Sequence, residues 1–241
     1  MTSSAADEPI TLTIVGMGRA GTAFAHALRS TGAVVHGPFG RGAILPVDGV
    51  ILLCVPETGL QGASAVIPVG CIVGHCSASA PLDWLSPHER FVAHPLLPLT
   101  KSTTNFAGAV CAIDGSTPKA VSIAQQLAKL LQMRAVTIPP HQRALYHAAG
   151  SMAANFLVTL EASAERLAMP TGIQRADLAA IVRASVENWL TLGKDALTGP
   201  VSRNDAATVA NQRRAVAEVA SDLLPLWDAL VGATRRLAEL E

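Results

Sequence analysis

Aromatic residues make up only 4% of this 241-residue chain, and charged residues only 15%. The first shortage leaves no platform on which single-stranded nucleic acid could stack its bases. The second excludes a coiled coil, while 50% hydrophobic residues exclude a disordered chain. Lys plus Arg (18) balance Asp plus Glu (18), so bulk charge offers no attraction to polyanions and no nucleic-acid partner is expected. No charge-free run reaches the roughly 18–20 residues of a membrane span, so no membrane partner is expected either. Met1 to Pro9 has neither a basic start nor an apolar core, and so does not read as a secretory signal. Together these absences lead to the expectation of a soluble, cytoplasmic protein.

Cysteine is scarce and unpaired in pattern. Cys54, Cys71, Cys76 and Cys111 form no CxxC motif, and Cys54 and Cys111 lie in apolar, strand-like runs. They read as buried, reduced thiols. The set His75, Cys76 and His94 fits no familiar ligand spacing, so no metal is expected.

What is present is alternation. Thr11 to Val15 reads as a strand and Ala20 to Arg29 as the helix after it. Ala33 to His36, Gly49 to Val55, Gly70 to Gly74, Arg90 to Ala93 and Ala109 to Ile113 read as strands. Pro118 to Gln132 reads as a helix and Ala135 to Ile138 as a last strand. Fully apolar strands such as Gly49 to Val55 suit a parallel sheet covered on both faces. The expected fold is α/β, a Rossmann-type parallel sheet, up to residue 138. Only about a dozen residues separate the second strand from the third, short for a crossover with a helix, so the sheet is expected to be abbreviated at its second-strand edge.

After Pro139-Pro140 the pattern becomes helical. One long helix is expected over His141 to Ala168, a second over Asp177 to Leu192, a break at Leu197 to Asp205, then helices over Ala206 to Ala217 and Ser221 to Leu240, the last kinked near Pro225. Two domains follow: residues 1–138 for dinucleotide binding, and an all-α domain over 139–241 for substrate and dimerisation. The wide apolar run Ala148 to Leu160 points to burial or to a homodimer through the C-terminal helices.

Gly16-Met17-Gly18-Arg19-Ala20-Gly21 follows the first strand and opens the first helix. In a dinucleotide site the first glycine makes the tight turn, the second admits the pyrophosphate and the third lets helix and strand pack closely. The acidic residue that would bind a ribose 2′-hydroxyl is missing from His36 to Gly42, whereas Arg41 suits a 2′-phosphate. NADP is therefore expected, with NAD the alternative. Val55, Pro56 and Ser77 follow later strands at the edge where open α/β sheets bind ligands, and complete the expected cofactor set. His94 follows another strand and, with Arg203 from the loop before Asp205, is a candidate for substrate binding. Asp205 itself reads as a helix N-cap. His147, Ser151 and Asn155 fall at i, i+4 and i+8, one face of an α-helix, and are the candidate catalytic residues. His147, titrating near neutrality, is the candidate general acid.

The segments GMGRAG, GPFGRG, ILLCVPE, GHCSAS, FVAHPL, YHAAGSMAANFLVTLEASAERL and LTGPVSRNDAATV, in this order, resemble an actinobacterial branch of a Rossmann-like family whose C-terminal half is a domain of unknown function. That family is similar to pyrroline-5-carboxylate reductase, ketopantoate reductase and the 6-phosphogluconate and β-hydroxyacid dehydrogenases. The resemblance implies an NADP-dependent oxidoreductase that transfers hydride to a C=O or C=N bond of a small carboxylate-bearing substrate, a ketopantoate-like 2-keto acid or a cyclic imine. It also implies one departure. In ketopantoate reductase and the β-hydroxyacid dehydrogenases a catalytic lysine stands four residues before an asparagine. Asn155 matches the asparagine, but Ser151 stands where the lysine would be. A non-catalytic dinucleotide-binding or regulatory protein is the alternative, and a structural dimer that has lost its cofactor a third.

Overall fold

A computed structural model describes residues 10–239. Met1–Pro9, Leu240 and Glu241 lie outside the described residues. The chain forms two compact units that part between Met152 and Ala153.

The first unit is built on a seven-stranded sheet: β1 Thr11–Val15, β2 Val34–Phe39, β3 Val50–Leu53, β4 Ile72–His75, β5 Glu89–Pro95, β6 Val110–Gly115 and β7 Arg134–Thr137, in the order β2-β1-β3-β4-β5-β6-β7. Helices α1 Arg19–Arg29, α2 Leu60–Ala65 and α3 Pro118–Leu130 lie within it, and α4 Arg143–Gly150 follows the last strand. This is the expected α/β Rossmann-like architecture with one difference. β6 runs antiparallel to β5, while every other pair is parallel. An apolar run such as Val110 to Ile113 is buried equally well in either direction, so its periodicity carries no sign of orientation.

Side chains alternate across the sheet. Leu12, Ile14, Leu52, Phe91 and Ile113 join Phe24 and Leu28 of α1 and Leu127 of α3 in one core. Val15, Ile51, Leu53 and Val73 turn to the other face, with Leu60 of α2 and Leu85. This two-sided burial explains why β3 is apolar at every position.

The β2 edge is abbreviated, as expected. β2 and β3 flank β1, and the connection between them carries no helix. Its Leu45 packs on the second core, and the buried Thr13 hydroxyl donates to the Pro46 carbonyl at 2.9 Å. A loop thus covers the face that a crossover helix covers elsewhere.

The sheet ends at Thr137, but the unit runs on through α4, which is tied to the strands. Arg143 pairs with Asp114 of β6, and Tyr146 bonds to His94 of β5.

The expected single helix over His141 to Ala168 is interrupted. A 3₁₀ turn at Pro140–Gln142 leads into α4, a π-helical stretch Ser151–Phe156 follows, and α5 Leu157–Ala168 completes the run. The second unit also holds α6 Arg175–Leu192, α7 Ala206–Ala220 and α8 Leu224–Glu239. Asp205 caps α7 by accepting from the Thr208 N–H at 3.0 Å, as its position suggested. Pro225 does not kink α8. It lies in the first turn, where a missing N–H leaves no acceptor unsatisfied. Among the described residues no helix is long and apolar enough to cross a membrane.

Candidate functional site

The loop Gly16 to Gly21 stands at the C-terminal end of β1. Gly16 has φ +117°, and a Cβ there would lie 2.3 Å from the Cys54 carbonyl oxygen. A Cβ on Gly21 would lie 1.8 Å from the Gly16 oxygen. Both positions therefore require glycine for the fold itself. Gly18 differs: nothing lies within 4 Å of a Cβ built on it. It is the N-cap of α1, no side chain caps the helix and no acid occupies its first turn. The first-turn N–H groups, which have no intrahelical acceptor, thus open onto free space beside exposed Met17, Gly18 and Arg19, with Ala20 behind them. This geometry fits a pyrophosphate.

The loop is fastened on both sides. The Gly16 N–H donates to Phe39 at the end of β2 at 2.8 Å, and the Cys54 N–H donates to Val15 at 2.7 Å. Arg41 lies exposed just beyond β2. Arg29, by contrast, is scaffold, because its guanidinium donates to the Gly37 and Val35 carbonyls.

The ends of β3, β4 and β5 carry the chemistry. After β3 come Val55, Pro56 and the exposed Glu57. After β4 come Cys76, Ser77 and Ser79. The Glu57 carboxylate accepts from the Ser77 hydroxyl and, at 2.5 Å, from that of Ser79. These two bonds hold its pKa below the ordinary carboxylate value, with the nearby His147 and His75 adding to the effect. His75 is fully buried. Its Nδ1 accepts from the Ser77 N–H at 3.2 Å, while its Nε2 finds no partner among the described residues. Burial lowers its pKa to about 4, with Arg143 contributing.

His94 of β5 bonds through Nδ1 to the Tyr146 hydroxyl at 3.0 Å. The two rings meet edge to face at a centroid distance of 5.5 Å, and the His147 ring lies 6.4 Å from that of His94. Burial and the neighbouring His147 bring His94 to about 4. Burial pushes the Tyr146 hydroxyl up to about 12. The Tyr146 hydroxyl also donates to the His94 carbonyl oxygen at 3.4 Å. A small crevice at this edge is lined by Ser77, His94, Arg143 and Tyr146 among others.

Cys54 and Cys76 stand at the ends of neighbouring strands. The Cys76 thiol beside Cys54, followed by burial, pushes the Cys54 pKa well up, so this thiol is not activated. All four cysteines are free. No group of three or more metal-ligating side chains occurs among the described residues.

The expected residues therefore divide. Gly16 to Gly21, Val55, Pro56, Ser77, His94, His147 and Ser151 belong to the first unit, with Arg41 at the β2 edge. Asn155 and Arg203 belong to the second. Arg203 is exposed, beside the capping Asp205. His147, Ser151 and Asn155 would share one face only on an unbroken α-helix. In the π stretch the bonds run i to i+5, so a step of four residues no longer completes one turn.

Sequence reasoning missed two residues. Tyr146, the chain's only tyrosine, has no role in the sequence pattern. Glu57 was passed over although Val55 and Pro56 beside it were singled out. An acid directly after a strand's C-terminal end, with serines after the next strand, was the available signal.

Residues 109–234, just over half of the chain, match DUF2520, a domain of unknown function. The chain belongs to the DUF2520 family. No curated protein matches it. Its fold is similar to that of a candidate NADP oxidoreductase from Bacteroides fragilis, with a TM-score of 0.82 and 18% identity over 94% of this chain and 98% of that one. It is also similar to a reductive aminase from Aspergillus terreus in complex with NADPH and ethyl-5-oxohexanoate, at TM-score 0.68 and 16% identity over 94% of each chain. A third likeness is to a pyrroline carboxylate reductase from Plasmodium falciparum with NADP bound, at TM-score 0.60 and 12% identity over 96% of this chain and 99% of that one. At these identities the likeness is one of fold. The DUF2520 region begins at the strand β6 and extends into α8, so the glycine loop lies outside it.

Proposed function

We propose that this DUF2520 protein is an NADP-dependent oxidoreductase that transfers hydride to a C=O or C=N bond of a small, carboxylate-bearing substrate. The observation that carries the reading is the glycine loop: an uncapped helix N-terminus facing open space at Gly18, beside the histidine and carboxylate cluster on the same sheet edge. The same fold holds NADPH in the Aspergillus reductive aminase and NADP in the Plasmodium reductase, which supports the choice of cofactor.

The α/β part, residues 1–138, would bind the dinucleotide, and residues 139–241 would serve substrate binding and dimerisation. Gly16 to Gly21 would hold the pyrophosphate, and Arg41 the 2′-phosphate through its planar fork. Val55, Pro56 and Ser77 would bound the nicotinamide, which when bound supplies the hydride. His94, fixed by Tyr146, and His147 would donate hydrogen bonds to the atom that gains electron density. Ser151, Asn155 and Arg203 are the further residues proposed to serve the substrate, Arg203 for its carboxylate. Four free thiols fit a reducing cytoplasm.

The 18-residue helix α6 buries none of its residues, and it exposes Ile181, Val186, Trp189, Leu190 and Leu192. A helix of this length needs an apolar partner, and a homodimer through the C-terminal helices would supply it.

The test is a fluorescence titration with NADPH and NADH, followed by NADPH oxidation across a panel of keto acids and cyclic imines. NADPH is expected to bind more tightly than NADH and to be consumed. Failure of both nucleotides to bind in the millimolar range would overturn the reading. Binding without consumption would favour a regulatory dinucleotide sensor, the role that Ser151 in the lysine position would suit.

A further inference from the structure

Glu57 opens the 3₁₀ turn that follows β3, and its surroundings fix its state. The Ser77 hydroxyl oxygen accepts from two backbone N–H groups, those of Ser79 at 3.2 Å and Ala80 at 3.0 Å. Its own proton therefore points to Glu57. The Ser79 hydroxyl donates to the same oxygen, Oε1. A carboxylate taking two hydroxyl protons on one oxygen acts as an acceptor only, in its ionised form. Among the described residues no donor occupies Oε2.

The other charges at this edge do not cancel it. Arg143 is spent on Asp114. His75 and His94 are neutral at physiological pH, both brought to about 4 chiefly by burial. His147 is the remaining basic side chain near Glu57. The sheet edge thus presents an oriented anion, linked through Ser77 to the crevice of His94 and Tyr146.

We propose that Glu57, positioned by Ser77 and Ser79, selects substrates whose reacting group carries a cationic nitrogen: an iminium as hydride acceptor, an ammonium as the product side. The proposal rests on the oxidoreductase reading and narrows its C=O or C=N alternative to the second. A fixed anion favours the protonated form of a nearby imine, which raises the fraction present as iminium. When hydride reaches the iminium carbon, the C=N π pair moves onto nitrogen as a lone pair and the cation becomes a neutral amine, which then takes a proton from water to become the ammonium. The nicotinamide is oxidised, and no proton is delivered in the step. That balance suits a site whose Tyr146 hydroxyl is committed to His94. A substrate carboxylate, if present, belongs at the other end of the molecule.

The test uses three cyclohexane probes of one size and different charge: cyclohexylamine (a cation at neutral pH), cyclohexanol and cyclohexanecarboxylate. Each is titrated calorimetrically into the full-length protein saturated with NADP⁺. The wild type is expected to bind the cation about tenfold more tightly than the alcohol, and the carboxylate most weakly. Glu57→Gln should bring cation and alcohol within about twofold of each other with NADPH affinity and melting temperature unchanged. Ser77→Ala should give an intermediate preference, because the carboxylate remains but is less firmly held. A wild type without preference for the cation, or without binding of it, overturns the proposal. So does a Glu57→Gln protein that keeps the preference but loses NADPH affinity, which would put Glu57 on a cofactor hydroxyl. A wild type that binds no NADPH brings down the parent reading as well, and the nucleotide titration alone reveals that case.

Discussion

At the scale of single residues, burial controls the chemistry of this edge. His94 titrates at about 4 in the folded protein, against about 6.5 in an unfolded chain. Between these values the unfolded state binds a proton that the folded state refuses. Stability is therefore full above about pH 6.5 and is lost as pH falls toward 4. His75, with its pKa also about 4, behaves in the same way. At pH 5 each should cost of order 2 kcal/mol relative to pH 7.5. Thermal melts of wild type and His94→Gln between these pH values check this. The variant should lose less stability on acidification, with the remaining slope due to His75. Identical slopes would show that His94 titrates normally. None of this was legible in the sequence. His94 could be placed after a strand, but its neutrality comes from burial in the fold, with His147, about fifty residues along the chain, adding to it. Glu57 was hidden for the same reason, since its two hydroxyl donors lie twenty and more residues away.

At the scale of elements, the strand-turn-helix opening was the most legible feature. The expected strand Thr11 to Val15 matches β1, and the expected helix start lies one residue from that of α1. Local rules suffice there, because a fully buried strand, a glycine turn and an amphipathic helix each declare themselves within a few residues. The long helix after Pro140 was less legible. Its composition is helical throughout, and nothing local marks Ser151–Phe156 as π-helical. The glycine loop itself permits a test that separates fold from function. Gly21→Ala drives a Cβ into the Gly16 carbonyl, and should cost about 3 kcal/mol of stability. Gly18→Ala meets no protein atom, and should cost less than about 1 kcal/mol. Its methyl group nevertheless projects into the space a pyrophosphate would fill, so NADPH affinity should fall about tenfold or more while the melting curve barely moves. Denaturant melts and NADPH titrations of the two variants check both halves. Unchanged NADPH affinity in Gly18→Ala would move the phosphates away from this loop.

At the scale of the whole molecule, the two units differ in how completely they bury their own apolar surface. The first closes two cores around its sheet. Among its described residues the second buries only Val209, Val216 and Ala220, all on α7. Trp189 is 62% exposed and Leu190 65% exposed, and α5 adds Val158 and Leu160. A groove of about 260 Å³ lined by Leu160, Leu167, Val216, Trp227 and Leu230 also stays open, and the Trp227 indole N–H has no partner among the described residues. Such a surface is larger than a stable monomer ordinarily shows to water. The ion pairs Arg166–Asp222 and Arg213–Asp228 are exposed, and cannot offset that much unburied apolar area. If a second copy covers the surface, sedimentation equilibrium should return twice the chain mass at micromolar concentration. The double substitution Trp189→Glu with Leu190→Glu places two charges in the middle of the proposed contact. It should shift the protein to monomer and lower the melting temperature of the helical unit, while NADPH binding by the glycine loop persists. A wild type that sediments as a monomer would require a different cover for these helices, and would remove the dimer from the functional reading without touching the cofactor site.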